Sequence, residues 1–108
     1  MFDELLTALQ ATQIPFAAYA WAVAPDATYG VLSLDGGAGT LAGDNTIAYQ
    51  AVSGSVDLYT KSTSTADAKT VQGVLNDFEG CAWRLNSVQY EDETGFIHFE
   101  WIIELREL

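Results

Sequence analysis

His98 is the only histidine of the chain, and Glu100 follows two residues later, on the same face of any strand that carries both. Two such ligands begin a metal site, but no second histidine exists and the single cysteine, Cys81, is far off in sequence, so a polar residue on an open sheet face is the simpler reading. "EDET", 91–94, gathers three acids at what reads as a hairpin tip. It lacks the ligand spacing of a calcium loop and is read as a solvated turn. "GGAGTLAG", 36–43, has the glycine content of a phosphate-binding loop. It leads into another strand rather than a helix and has no Gly-Lys-Ser/Thr ending, which removes the phosphate reading.

Other reactive constellations are equally thin. The chain has 15 acidic residues, but nothing in their spacing sets two of them in an apolar cleft for acid–base work on a glycoside. Scattered serines with one histidine do not make a triad. Tyr29, Tyr49, Tyr59 and Trp83 read as core or interface aromatics rather than a ligand cage. Cys81 precedes Ala82 and Trp83 and reads as a small buried apolar residue rather than a reactive thiol. The expectation is a protein that is not an enzyme and carries no cofactor or metal.

Charge narrows the class further. Four basic against 15 acidic residues give a net charge of −11, and no Lys or Arg precedes Lys61. Affinity for phosphate backbones comes from Lys and Arg, so specific nucleic-acid binding and adhesion to anionic membranes are not expected. No apolar run approaches the ~20 residues of a membrane span. "MFDELLTALQ" carries acids where a signal peptide needs positive charge, and one cysteine allows no internal disulfide; both fit a reduced cytoplasmic setting.

The elements follow from periodicity. A chain of 108 residues with 49% apolar content is expected to form a single domain over 1–108. Phe2, Leu5, Leu6 and Leu9 recur at helical spacing, predicting a helix over 3–12 that Pro15 stops. Tyr19, Trp21 and Val23 alternate in "FAAYAWAVA", predicting a strand over 16–24; "YGVLSL" predicts a second. "DGGAGTLAGDN", 35–45, reads as a mobile glycine loop. "TIAYQAVSGSVDLYTK" reads as the third strand, with Gly54 marking a bulge or a close backbone approach. "STADAKTVQGVLNDF" is a helix with Ser64 as N-cap, an apolar face of Val71, Val74, Leu75 and Phe78, and Gly80 as its stop. "AWRLNSVQYE" and "GFIHFEWIIEL" flank "DETG" as a closing hairpin in which Gly95 takes a positive φ. The order α-β-β-β-α-β-β is that of an α+β domain, an antiparallel sheet packed by two helices. Lys61 and its polar neighbours lie where the chain leaves the sheet to start a helix.

The whole chain resembles the small tail completion and tail terminator (head–tail joining) proteins of long-tailed bacteriophages and prophages. The features that carry the likeness are the N-terminal amphipathic helix, "IPFAAYAW", "YGVLSLDG", the Gly/Asp-rich segment, "QAVSGSVDLYTKS", a helix, and the hairpin ending "IHFEWIIEL". The resemblance implies a structural virion protein, assembled in the bacterial host cytoplasm, that forms a ring at the head-proximal end of the tail. Such rings are typically hexameric, end tail-tube growth and meet the head connector, and their subunits are often monomeric when free. On that reading Asp35, Gly36, Gly37, Gly39, Asp44 and Asn45 of the glycine segment, with Lys61, Ser62 and Thr63 of the strand-to-helix turn, are the candidate subunit contacts. Lys61 is expected to pair with a carboxylate of the next subunit. An acidic lumen that lets DNA pass would use the −11. The alternatives are another tail-tube or connector subunit, or a non-viral α+β protein-binding module.

Overall fold

The structure is a computed structural model that describes residues 1–41 and 47–107; for 37–41 and 47–50 only the backbone is described. In chain order the elements are α1 (Phe2–Gln10), β1 (Phe16–Ala18), β2 (Tyr29–Leu41), β3 (Ile47–Thr60), α2 (Ala66–Asp77), β4 (Cys81–Glu91) and β5 (Phe96–Leu105). The five strands form one sheet in the order β1-β2-β3-β5-β4. This is the expected α+β class, with a difference in detail. β2, β3, β5 and β4 run antiparallel to their neighbours, but β1 runs parallel to β2, so the sheet is mixed.

Both helices lie on one face of the sheet. Leu5 and Leu9 of α1 and Val71 and Leu75 of α2 meet Leu32, Val56, Leu58, Trp101, Ile103 and Leu105 in a single core. Trp101 is fully buried, and its indole N–H donates to Gln72 Oε1 at 3.1 Å, which removes the cost of burying that donor. Strict alternation in β5 places Trp101, Ile103 and Leu105 under the helices, as the sequence pattern predicts. Of the same row Ile97 lies only half-buried near the strand's start, whereas Phe96, on the opposite face, is buried.

The first helix ends before the proline that was expected to stop it. Thr12 Oγ1 donates to Leu9 O at 2.6 Å and Gln13 adopts φ 73°, so the chain leaves helical geometry by itself. The predicted strand over 16–24 is only three residues long. Tyr19 takes φ 68° and Ala20 N–H turns back to Ala18 O, which lifts the chain out of the sheet and leaves Val23 exposed. The alternation of Tyr19, Trp21 and Val23 is therefore not that of a strand.

The larger correction concerns the glycine segment. Asp35–Leu41 is not a loop but the second half of β2. Gly36, Gly37, Ala38 and Gly39 stand opposite Ser53, Val52, Ala51 and Gln50. Backbone pairing needs no side chain, and β3 opposite is rich in β-branched and aromatic residues that hold extended geometry. Gly54 does mark a close approach: a Cβ there would collide with the carbonyl oxygen of Ser33. A register shift between Leu34 and Gly36 lies beside it, leaving Asp35 as the bulged residue.

α2 begins one residue later than expected, with Thr65 at the N-cap position; Ser64 instead turns the chain in, its Oγ accepting from Ala66 N–H. Gly80, expected to stop the helix, takes φ 84° two residues after the C-cap Phe78 has already left helical geometry, so it turns the chain into β4 instead; Gly95 takes φ 77° in the hairpin turn, as expected. The fold spans 51 × 26 × 26 Å. The β2–β3 pair continues past the last β3–β5 partner, Val52↔Leu105, as a two-stranded ribbon. Among the described residues no helix is long and apolar enough to cross a membrane.

Candidate functional site

The face of the sheet away from the helices collects most of the polar side chains that the strands present. Its rows follow from register: Tyr29, Tyr59, His98 and Gln89 stand side by side across four strands, then Val31, Asp57, Glu100 and Ser87. His98 does not turn to Glu100, its partner in the sequence-level metal reading. It bonds diagonally to Asp57, Nε2 to Oδ1 at 2.6 Å, and its Nδ1 lies 3.8 Å from Glu91 Oε2. Glu100 instead accepts from Asn86 Nδ2 at 2.7 Å, and Asn86 Oδ1 accepts from Arg84 Nη1 at 2.8 Å. Among the described residues no three His, Cys, Asp or Glu side chains converge to hold a metal ion.

An aromatic stack closes one end of this face. Tyr59 lies between His98 (centroids 4.3 Å) and Tyr29 (4.8 Å), and Phe96 meets Tyr29 edge-on at 5.5 Å. Trp21 packs edge-on against Tyr29 and donates its indole N–H to Gly30 O. Burial, reinforced by the Asp57 carboxylate, pushes the Tyr59 phenol up to about 12. The Asp57 hydrogen bond raises the His98 pKa above its ordinary value against an opposing effect of burial, so the imidazolium form is favoured. Among the described residues no buried side-chain nitrogen or oxygen lacks a hydrogen-bond partner. The surface depressions are shallow; one of about 220 Å³ runs beside Ser53, Ala82, Arg84 and Glu104.

The residues anticipated as contacts fall in three places. Asp35 is exposed and accepts a hydrogen bond from Ser53 Oγ at 3.2 Å, and Gly36, Gly37 and Gly39 are strand positions of β2. Asp44 and Asn45 lie outside the described residues. Lys61, Ser62 and Thr63 do form the exposed connection from β3 to α2. Lys61 already has partners inside its own chain: Nζ is 3.3 Å from Asp26 Oδ1 and sits 4.9 Å above the Phe96 ring. Ser62 N–H donates to the buried Thr60 Oγ1 and Ser62 Oγ accepts from Ser64 N–H, so these hydroxyls build the turn itself.

Two features escaped sequence reasoning. The Asp57–His98 pair joins residues 41 apart, and only the polar alternation Ser53, Ser55, Asp57 hinted that β3 had an open face. In β4 a register shift between Leu85 and Ser87 leaves Asn86 as the extra residue, which puts Leu85, Val88 and Tyr90 on one face and exposes all three. No family model and no curated protein matches the chain.

Proposed function

We propose that the protein is a structural subunit of a phage virion, forming a ring at the head-proximal end of the tail that ends tube growth and joins it to the head connector. The observation that carries this reading is the β2–β3 ribbon. Residues 38–41 and 47–51 extend beyond the reach of β5, and a two-stranded ribbon is at best marginally stable in water by itself. Such an arm gains its stability against a neighbour, which suits a subunit whose finished state is an assembly. The helix-free face offers a wall for the ring's lumen: Asp35, Glu100 and Glu104 lie on it, with Arg84 and Lys61 as the cations near by. The resemblance over the whole chain supports the same reading, and the mutually satisfied polar groups of the open face fit a wall better than a catalytic cleft.

Purified protein added to tail tubes lacking their terminator tests it. Electron microscopy should show one end of each tube capped by a ring and tube length fixed from then on. Tubes that keep growing, with the protein left free in solution, would refute the assignment and favour a binding module of another kind.

A further inference from the structure

We propose that the β4 edge of one copy docks head to tail on the β1–β2 edge of a second, Leu85, Val88 and Tyr90 of the first meeting Tyr19 of the next. The inference rests on the ring reading for its partner, a second copy of this chain, and names the surfaces that the ring would use.

The first support is where the exposed apolar residues lie. Among the described residues the large apolar side chains left exposed are Tyr19 (58%), Val23 (85%), Leu85 (44%), Val88 (51%) and Tyr90 (65%). None lies mid-sheet. Leu85, Val88 and Tyr90 belong to β4, one edge of the sheet; Tyr19 and Val23 belong to the segment leaving β1, the other edge.

Sidedness and level agree as well. Leu85 is opposite the buried Trp101 and Val88 is opposite Phe99, so the β4 stripe is on the helix side. Tyr19 stacks on Phe2 of α1 at 5.7 Å, which places it on the helix side too. Tyr19 N–H donates to Leu32 O, and Leu32 shares its row with Val56, Trp101 and Leu85. Tyr19 and Leu85 thus stand at one level on opposite edges. Copies placed side by side, all facing one way, bring them together.

Backbone and charge are complementary in the same arrangement. β4 has no strand on its outer side, and β2 has none beyond Leu32 among the described residues. β4 and β2 run in opposite directions, so the joint is antiparallel. Gly36, Ser53, Glu104 and Ala82 form one row, which sets Gly36 of one copy level with Ala82 of the other. Free edges are usually guarded by charge, above all lysine. Here β4 carries Arg84 and a single acid, Glu91, at its far end, and Tyr29–Leu41 carries Asp35 alone, in a chain with 15 acids. Arg84 shares the row of Ser33, two residues before Asp35, so the one cation of β4 comes near the one acid of β2 across the joint. An interface joining two different edges repeats around a ring when the rotation closes.

The test uses the full chain in a Cys81→Ala background at the highest concentration it tolerates. One copy carries Ala82→Cys and another, differently tagged, carries Gly36→Cys; Ala82 is exposed, and a Cβ at Gly36 meets only Ser53 Oγ, at 3.4 Å. A short bismaleimide should join the two kinds of copy in clear excess over like pairs, and a chain bearing both cysteines should give a ladder of multimers. Adding Val88→Lys and Tyr90→Lys, both at exposed sites, should lower the yield about tenfold while circular dichroism stays unchanged. Cross-links in random proportion, or a yield indifferent to the lysines, would overturn the contact. A capping ring on tail tubes without this link removes the contact and keeps the phage reading; the link without capping does the reverse.

Discussion

His98 Nε2 lies 2.6 Å from Asp57 Oδ1, a diagonal bond from β5 to β3 with both side chains largely shielded from water. The bond raises the His98 pKa above 6.5, so the folded state holds a proton that the unfolded chain gives up more readily. The stabilisation is therefore complete below the unfolded value and is lost as pH rises through the folded one. A charge-assisted hydrogen bond of this kind contributes about 1.5–3 kcal/mol. His98→Gln should unfold at lower urea than the parent from about pH 5, above ordinary carboxylate titration, up to neutrality. The gap should narrow as the solution becomes alkaline. A gap that widened above neutrality would show that the pair does not stabilise as an imidazolium–carboxylate contact.

How far the fold is legible in the sequence depends on what each signal measures. The five-residue alternation of β5 and the helical stripe of Phe2, Leu5 and Leu9 report burial against a core, and both elements form where the pattern puts them. Asp35–Leu41 carries no such pattern, because its extended state comes from pairing with β3 and not from its own side chains. Tyr19 misleads because alternation persists through a residue whose positive φ turns the chain. Lys61 looks unpartnered in sequence since Asp26, 35 residues earlier, reaches it only through the β2–β3 pairing. The open face and the two free edges are properties of strand order, which one sequence does not print.

Two glycines should respond oppositely to alanine. At Gly54 the new methyl meets the Ser33 carbonyl, part of the paired β2 backbone and unable to step aside. Gly54→Ala should cost about 1–3 kcal/mol, as overpacking does. Gly73 sits in α2 in open space, where an added methyl would meet nothing within 4 Å. Gly73→Ala should stabilise by about 0.5–1 kcal/mol through helix propensity. Thermal melts of the pair read both signs; equal shifts would contradict the β2–β3 register.

Cys81 begins β4 half-buried against the core, and burial pushes its thiol up to about 11 from an ordinary 9.0. Only the thiolate reacts with alkylating agents, so at pH 8 the thiol should be modified about a hundredfold more slowly than a cysteine in an unfolded peptide. Iodoacetamide labelling followed by mass spectrometry measures this directly. Urea should abolish the difference, and labelling at the free-thiol rate in native buffer would place Cys81 in water rather than against the core.

The lumen assignment makes its own demand on Glu104. This residue is exposed on the helix-free face, on the row of Ser53 and Ala82, and lines the shallow groove beside Arg84. If that face walls the channel, Glu104 repeats once per subunit as a ring of negative charge that phosphates pass without binding. Glu104→Lys turns the ring positive while leaving the core and the bonds of His98 and Asn86 intact. Particles carrying it should assemble in normal number yet release DNA more slowly, and the delay should shrink as salt screens the attraction. Release at the parent rate from particles with a full ring would move the channel wall to another face of the subunit.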